Sequence, residues 1–328
     1  MEIPIIDVAP FFNGSPRERK RLASLWGNAF ETIGFATIVG HGIPLPLLES
    51  LQFEAKGFFN LPLEEKKACT YSGEQRSQGY IPMGVETVAR TVQGDKKPPP
   101  PDLCESMTFP FIDWEQGEIT NAFDRSVYKP NLWPARPARL RSLIQEYSRH
   151  ANQLALSLMQ LTALALDLPE DYFATHFERM TTYLRLAHYP EQNEAPRFNQ
   201  YRYAAHTDYS GFTILLQDDA GGLQVLMPDG SWTNVSPIRG GLVINSGDLL
   251  ARWTNDRWKS DIHRVVNPPR EQSGTSRLSV VLFTGPNYDA VISCLPGCES
   301  ATAPPRYQPT TCWDHLMEKI RVSMPDPV

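Results

Sequence analysis

His206 and Asp208 stand two apart in the stretch Ala205-His-Thr-Asp-Tyr209, and a further histidine, His263, opens the run His263-Arg-Val-Val266. Two imidazoles and one carboxylate on one face of a metal leave the opposite positions open, the donor set that suits a non-haem Fe(II) oxygenase. On extended chain, side chains two residues apart leave from the same face. His206 and Asp208 are therefore expected to point together, and the third donor has to arrive from a distant strand, a part His263 can take. An HxD triplet alone is weak evidence, because a single histidine is more often a satisfied core or surface residue. Arg277 and Ser279 repeat the spacing. A guanidinium fork and a hydroxyl on one strand face can hold a carboxylate between them, although an arginine at a strand end also serves simply to reach solvent.

The elements that must position these residues fall into two halves, of which the first is helical. Ser15-Pro16-Arg17-Glu18 supplies an N-cap, a first-turn proline and the acid of a capping box. Leu22, Leu25, Trp26, Ala29, Phe30 and Ile33 follow at helical spacing until Gly34. A second periodic run, from Leu140, Leu143, Ile144 and Tyr147 to Leu161 and Leu164, predicts a long helix that ends near Asp167-Leu-Pro169 and backs a sheet. Between the two, the consecutive prolines of residues 94–102 exclude helix and central strand, which makes that stretch a connector or a lid. From Tyr183 onward short β runs alternate with turns, the runs lying at 212–216, 223–226, 242–245, 262–266 and 277–283. Pro228-Asp-Gly230, Gly240-Gly241 and Ser246-Gly-Asp248 are the turn signals between them. This texture predicts an antiparallel sandwich or jelly roll rather than βαβ units.

Composition narrows the function classes. A net charge of -6 without a basic stripe gives no support for nucleic-acid binding. No apolar stretch reaches the roughly 18 residues of a membrane helix, and no signal peptide opens the chain, so a cytoplasmic protein is expected. The five cysteines are odd in number and form no paired CxxC clusters, which argues against a disulfide framework and a structural zinc site. Nucleotide-binding glycine motifs and the GxSxG nucleophile elbow are absent.

Taken in order, His206-Thr-Asp208, Gly211-Phe-Thr-Ile-Leu-Leu216, Leu242-Val-Ile-Asn-Ser-Gly-Asp248, Lys259-Ser-Asp-Ile-His263-Arg-Val-Val266 and Arg277-Leu-Ser279 resemble the 2-oxoglutarate and Fe(II)-dependent dioxygenases of the isopenicillin N synthase-like group. Upstream, Pro4-Ile-Ile-Asp7, Gly34-Phe-Ala-Thr-Ile-Val-Gly-His41-Gly-Ile-Pro44 and Phe58-Phe-Asn-Leu-Pro62 resemble the N-terminal region of the same family, so the likeness covers most of the chain. The resemblance implies an α+β fold with a mainly β core, a double-stranded β-helix (jelly roll) flanked by helices. Residues 1–120 would form the N-terminal region packed on that core. Residues 121–328 would form the core itself, with the long backing helix and the C-terminal segment.

The resemblance further implies that His206, Asp208 and His263 bind Fe(II), and that Arg277 and Ser279, with Tyr189, hold the far carboxylate of 2-oxoglutarate. No catalytic side chain is implied beyond the metal centre, and ascorbate is expected to support turnover. His41 sits in the family's Gly-His-Gly-Ile turn and reads as structural; His150, His176, His188 and His315 read as non-ligands. Two departures stand out. Residues 264–276 make a longer link between His263 and Arg277 than the family suggests, and their turn-rich composition can absorb it as a hairpin loop. Ala187-His188 replaces the Asn-Tyr that many relatives carry before Tyr189-Pro190, which bears on the detail of co-substrate binding.

The implied activity oxidises a small organic molecule with O2 while 2-oxoglutarate becomes succinate and carbon dioxide; hydroxylation is the default outcome, and desaturation or ring chemistry the variants. A monomer acting in secondary metabolism on a mostly apolar substrate is expected. Residues 79–86 and 102–109, Tyr209, Phe212 and Phe283 are the candidate pocket residues, each also explicable as packing. The rival readings are an oxidase of the same fold that needs no 2-oxoglutarate and a jelly-roll binding protein without catalysis.

Overall fold

The structure is a computed structural model that describes residues 2–71, 78–89, 100–110 and 121–323. Its strands in chain order are β1 (Ile5–Asp7), β2 (Phe35–Val39), β3 (Gly79–Ile81), β4 (Glu105–Pro110), β5 (Thr181–Tyr189), β6 (Tyr203–His206), β7 (Phe212–Gln217), β8 (Leu223–Leu226), β9 (Trp232–Asn234), β10 (Leu242–Ser246), β11 (His263–Val265), β12 (Arg277–Gly285), β13 (Val291–Ile292) and β14 (Thr310–Thr311). The helices are α1 (Ala9–Asn13), α2 (Pro16–Thr32), α3 (Leu45–Phe59), α4 (Leu63–Lys67), α5 (Ala122–Val127), α6 (Leu140–Ala165), α7 (Asp248–Trp253) and α8 (Cys312–Ser323).

The helical half follows its local signals. Ser15 caps α2 and Glu18 completes the box, with Glu18 Oε2 accepting from Ser15 N at 2.7 Å. Gly34 stops the helix at φ +69°, where the Lys259 carbonyl lies 2.4 Å from the place a Cβ would take; only glycine tolerates both. Leu22, Trp26, Ala29 and Phe30 are buried, but Leu25 departs from the predicted stripe and is half exposed. The long helix α6 ends at Leu166, with Asp167 turning into the left-handed region, as the periodicity predicts.

Eight strands form the larger sheet in the order β1-β2-β10-β7-β12-β5-β4-β3, and four form the smaller, β6-β11-β8-β9. The jelly-roll expectation holds: the two sheets together are a double-stranded β-helix flanked by helices. Residues from both sides of position 120 share the larger sheet, since β1 and β2 form one edge and β3 and β4 the other. The long link after His263 is not the hairpin loop expected from its turn-rich composition, because β11 and β12 lie in different sheets; it crosses from the smaller sheet to the larger through a single turn of 3-10 helix at Arg270–Gln272. β12 then pairs with β5 without slippage from Arg277↔Tyr189 to Gly285↔Thr181.

Alternation along the strands of the larger sheet sorts its side chains. Leu184 and Leu186 of β5, Ile214 and Leu216 of β7, and Leu278, Val280 and Leu282 of β12 join the main core with α2 and α6. Their neighbours Arg185, Ala187 and Tyr189, with Arg277 and Ser279, line a cavity whose other wall includes His206 and His263 of the smaller sheet. This parity corrects one pocket candidate. Phe212 falls on the helix side, where its ring lies 5.7 Å from Trp26 and 5.3 Å from Phe30. Ser246-Gly-Asp248 is corrected too: it is not a plain turn, since Gly247 is the N-cap of α7. A Cβ there would stand 2.3 Å from Ser210 O.

The lid or connector reading of residues 94–102 falls mostly on 90–99, outside the described residues. No helix among the described residues is long and apolar enough to cross a membrane. Because Phe212 packs only into the aromatic core, Phe212→Ala is expected to lower stability by about 3–5 kcal/mol in denaturant unfolding while metal affinity stays at the wild-type value. Weakened metal binding at unchanged stability would return Phe212 to the cavity.

Candidate active site

His206 ends β6 and His263 begins β11, and the two are direct partners across the antiparallel pair. Register therefore brings them together, with ring centroids 4.2 Å apart. Asp208 follows β6 by two residues, and the Asp248 amide donates to its carbonyl at 2.8 Å, which ties the loop to the start of α7. Its Oδ1 lies 3.6 Å from His206 Nε2 and 3.7 Å from His263 Nε2. The three donor atoms all fall within 4.8 Å of one another, and all three side chains are buried.

Each donor is aimed by a partner behind it. His206 Nδ1 faces Ala204 O at 2.9 Å and His263 Nδ1 faces Asp261 O at 3.2 Å. A ring nitrogen against a carbonyl must carry the proton, which leaves each Nε2 lone pair turned into the site. Asp208 Oδ2 accepts from Thr213 Oγ1 at 2.5 Å and from Asn245 Nδ2 at 2.6 Å, so Oδ1 is the oxygen turned toward the imidazoles. Burial pushes the Asp208 carboxyl up, but the two histidines and these hydrogen bonds outweigh it and hold the group below its usual value. Burial, with His263 beside it, brings His206 down to about 3. The site brings together two imidazoles and one carboxylate, a donor set that fits Fe(II).

Across the cavity, Arg277 is wholly buried. Its Nε donates to Gly221 O at 2.7 Å, Nη1 donates to Ser279 Oγ, and Nη2 lies 3.4 Å from Gln217 Oε1. The guanidinium carbon stands 5.1 Å over the Tyr189 ring. No carboxylate forms an ion pair with it among the described residues. The cavity between this group and the triad measures about 480 Å³.

Residues 180–286 match the 2OG-Fe(II) oxygenase superfamily, and residues 3–136 match the family described as non-haem dioxygenase in morphine synthesis N-terminal. The 2-oxoglutarate-Fe(II) type oxidoreductase hxnY of Emericella nidulans is 35% identical over 95% of this chain and 87% of its own length. The chain belongs to the 2-oxoglutarate-Fe(II) oxygenase superfamily. Gibberellin 20 oxidase 2 of Oryza sativa subsp. indica is 31% identical over 97% of this chain and 75% of its own. Among solved structures, that of a full-length Neurospora crassa protein in complex with alpha-KG and thymine superposes with a TM-score of 0.82 at 29% identity, over 98% of this chain and 96% of that one. The protein is accordingly an Fe(II)- and 2-oxoglutarate-dependent dioxygenase, an oxidoreductase acting on a small molecule.

The oxygenase cavity includes Tyr209 and Phe283, as the sequence suggests, but of residues 79–86 only Glu86 reaches it and of 102–109 none does. Asp102 instead ties loops together, its carboxylate accepting from Val88 N and Ala204 N at 2.9 Å each. His41 is structural, with Nε2 2.7 Å from Gly240 O and Nδ1 accepting from Ile43 N at 3.2 Å. His188 lies on the helix side of β5, bonded to Glu105 at 2.9 Å and stacked on Phe59.

Sequence reasoning missed several wall residues. Arg185 shares the strand parity of Tyr189, a signal that was present. Trp313, Leu316, Met317 and Ile320 of α8 also face the cavity; their i, i+3, i+4, i+7 spacing marks an apolar helix face, but not what it faces. Asn245 supplies half of the Asp208 cradle, so Asn245→Ala is expected to weaken metal affinity about 10–100-fold in an Fe(II) or Mn(II) titration with the fold retained. An unchanged affinity would show that the cradle does not aim the carboxylate.

Proposed function

We propose that His206, Asp208 and His263 are the three protein ligands of the oxygenase's Fe(II), and that Arg277, helped by Ser279 and Tyr189, grips the far carboxylate of 2-oxoglutarate. The observation that carries the second assignment is the buried, acid-free guanidinium of Arg277. A buried charge without a counter-charge is costly, and a carboxylate ligand removes that cost. Arg202 sharpens the case: it too is buried, and burial together with the Arg277 charge lowers its pKa. Asp218, whose charge also reaches Arg202, is engaged by Lys56 at 2.8 Å.

Fe(II) held there would let O2 act as the oxidant, with two of its four electrons coming from 2-oxoglutarate as that becomes succinate and carbon dioxide and two from the organic substrate. The chain's own part is placement. Asn245 and Thr213 hold the Asp208 carboxylate in one orientation, the two backbone carbonyls hold the imidazoles, and the apolar walls exclude water from the reacting C–H bond. Hydroxylation of a mostly apolar small molecule is the default outcome, with desaturation or ring closure as variants. The five free cysteines support a reducing, cytoplasmic setting, and the enzyme is read as a monomer.

His206→Ala or Asp208→Ala should abolish Fe(II)-dependent turnover while the circular dichroism spectrum and melting cooperativity remain; turnover in either variant would refute the ligand assignment. Arg277→Lys keeps the charge but loses the fork, so the concentration of 2-oxoglutarate needed for half-maximal succinate formation should rise about 10-fold or more. If the organic substrate's affinity alone changed, the oxidase that dispenses with 2-oxoglutarate would be the better reading. With ascorbate and a small-molecule extract, succinate formation should couple to a product that gains one oxygen atom or loses two hydrogens.

A further inference from the structure

Arg185 leaves β5 on the same face as Ala187 and Tyr189 and reaches the cavity wall. Its Nη1 donates to Glu86 Oε1 at 2.9 Å and its Nη2 donates to Glu86 Oε2. Both side chains are nearly buried, with 11% and 5% of their surface exposed, and both line the cavity. One ring separates them from the metal site: the guanidinium carbon lies 5.2 Å over Tyr203, and that ring stands edge-on to His206 at 4.9 Å. Neither residue belongs to the triad or to the Arg277 cradle.

We propose that the Arg185–Glu86 pair is the specificity-determining element for the organic substrate, selecting a neutral molecule that carries a cis-amide edge, as a lactam or cyclic imide does, on an apolar body. The inference rests on the reading of the cavity as the substrate's place. A guanidinium met end-on by a carboxylate uses one N–H of each terminal nitrogen, and each carboxylate oxygen keeps a further lone pair. The pair therefore presents a donor beside an acceptor. A cis-amide presents the complement, a carbonyl beside an N–H.

Charge selects in the same direction. Arg185 and Glu86 cancel one another, so an anion brought to Arg185 also meets the Glu86 carboxylate, and a cation brought to Glu86 meets the guanidinium. In a site with little water neither repulsion is screened, and the neutral ligand wins. Gln78 Oε1 adds an acceptor: it lines the same cavity and is buried with no hydrogen-bond partner among the described residues. Val281, Phe283, Leu316 and Met317 supply apolar surface for the rest of the molecule.

The test uses the full chain loaded anaerobically with Fe(II) and 2-oxoglutarate, and three probes matched in size: 5-methyl-2-pyridone, its N-methyl derivative and 4-methylbenzoate. Formation of the visible Fe(II)–2-oxoglutarate absorbance band reports the loaded site, and equilibrium dialysis gives each probe's affinity. The pyridone should bind about 10-fold or more tightly than either of the others, because each lacks one half of the match or adds a repelled charge. Glu86→Gln unbalances the pair, so the benzoate should gain about 10-fold while the pyridone loses about 10-fold, and the order of the two should invert. If the band forms but the pyridone binds no better than its N-methyl derivative, the amide-edge inference falls alone. A Glu86→Gln protein that forms the band yet keeps the wild-type order of probes overturns it equally. If the band never forms, the functional reading falls and takes this inference with it.

Discussion

Adjacent side chains of an extended strand leave from opposite faces, and in β5, β7, β10 and β12 that alternation divides the larger sheet between two environments. Leu278, Val280 and Leu282 bury themselves against the helices, which obliges Arg277 and Ser279 to face the cavity. The same parity turns Leu184, Leu186 and His188 away from the site and leaves Arg185, Ala187 and Tyr189 on it. A slip of one residue in β12 would drive a guanidinium into the apolar core. The packing energy of the helix layer is thus what aims the polar groups of the cavity, and the His206↔His263 pairing of the smaller sheet supplies the opposite wall.

Buried charge in this protein comes in two kinds. Some of it is closed: Lys66 donates to Glu105 at 2.8 Å, and Tyr80 and His188 complete the carboxylate's shell at 2.6 and 2.9 Å. That network lies behind β5 and leaves no valence for a ligand. Asp208 and Arg277 are the open kind. Asp208 turns one oxygen toward two imidazole nitrogens and Arg277 forms no ion pair among the described residues, arrangements that the proposed cation and carboxylate ligands would complete. The Arg185–Glu86 pair stands between these cases, neutral as a unit yet with hydrogen-bonding capacity turned to the cavity.

The C-terminal helix α8 has the same dual character. Cys312 and His315 are buried, whereas Trp313, Leu316, Met317 and Ile320 are only partly covered because they look onto the cavity instead of onto packed side chains. An apolar helix face that borders a void offers contact surface to whatever fills it.

Much of this architecture was legible in the chain. The capping box at Ser15, the period of α6, the alternation of the β runs and the HxD and RxS spacings are local rules, and each operates within a few residues of itself. They determined the elements and, with the resemblance, the six residues proposed for the metal and co-substrate sites. The sequence left Phe212 open between pocket and packing, because position beside a ligand says nothing about which face a residue takes until the strand's register is known, and it misread Ser246-Gly-Asp248, where the start of the following helix is held by hydrogen bonds to Gly211 and Asp208. Only the tertiary structure decided that Glu86 meets Arg185 across 99 positions, that Asn245 reaches Asp208 across 37, and that the apolar face of α8 closes the cavity. Such pairings have no period to read, since they follow from how two sheets and a helix layer pack, and that packing is a property of the whole chain.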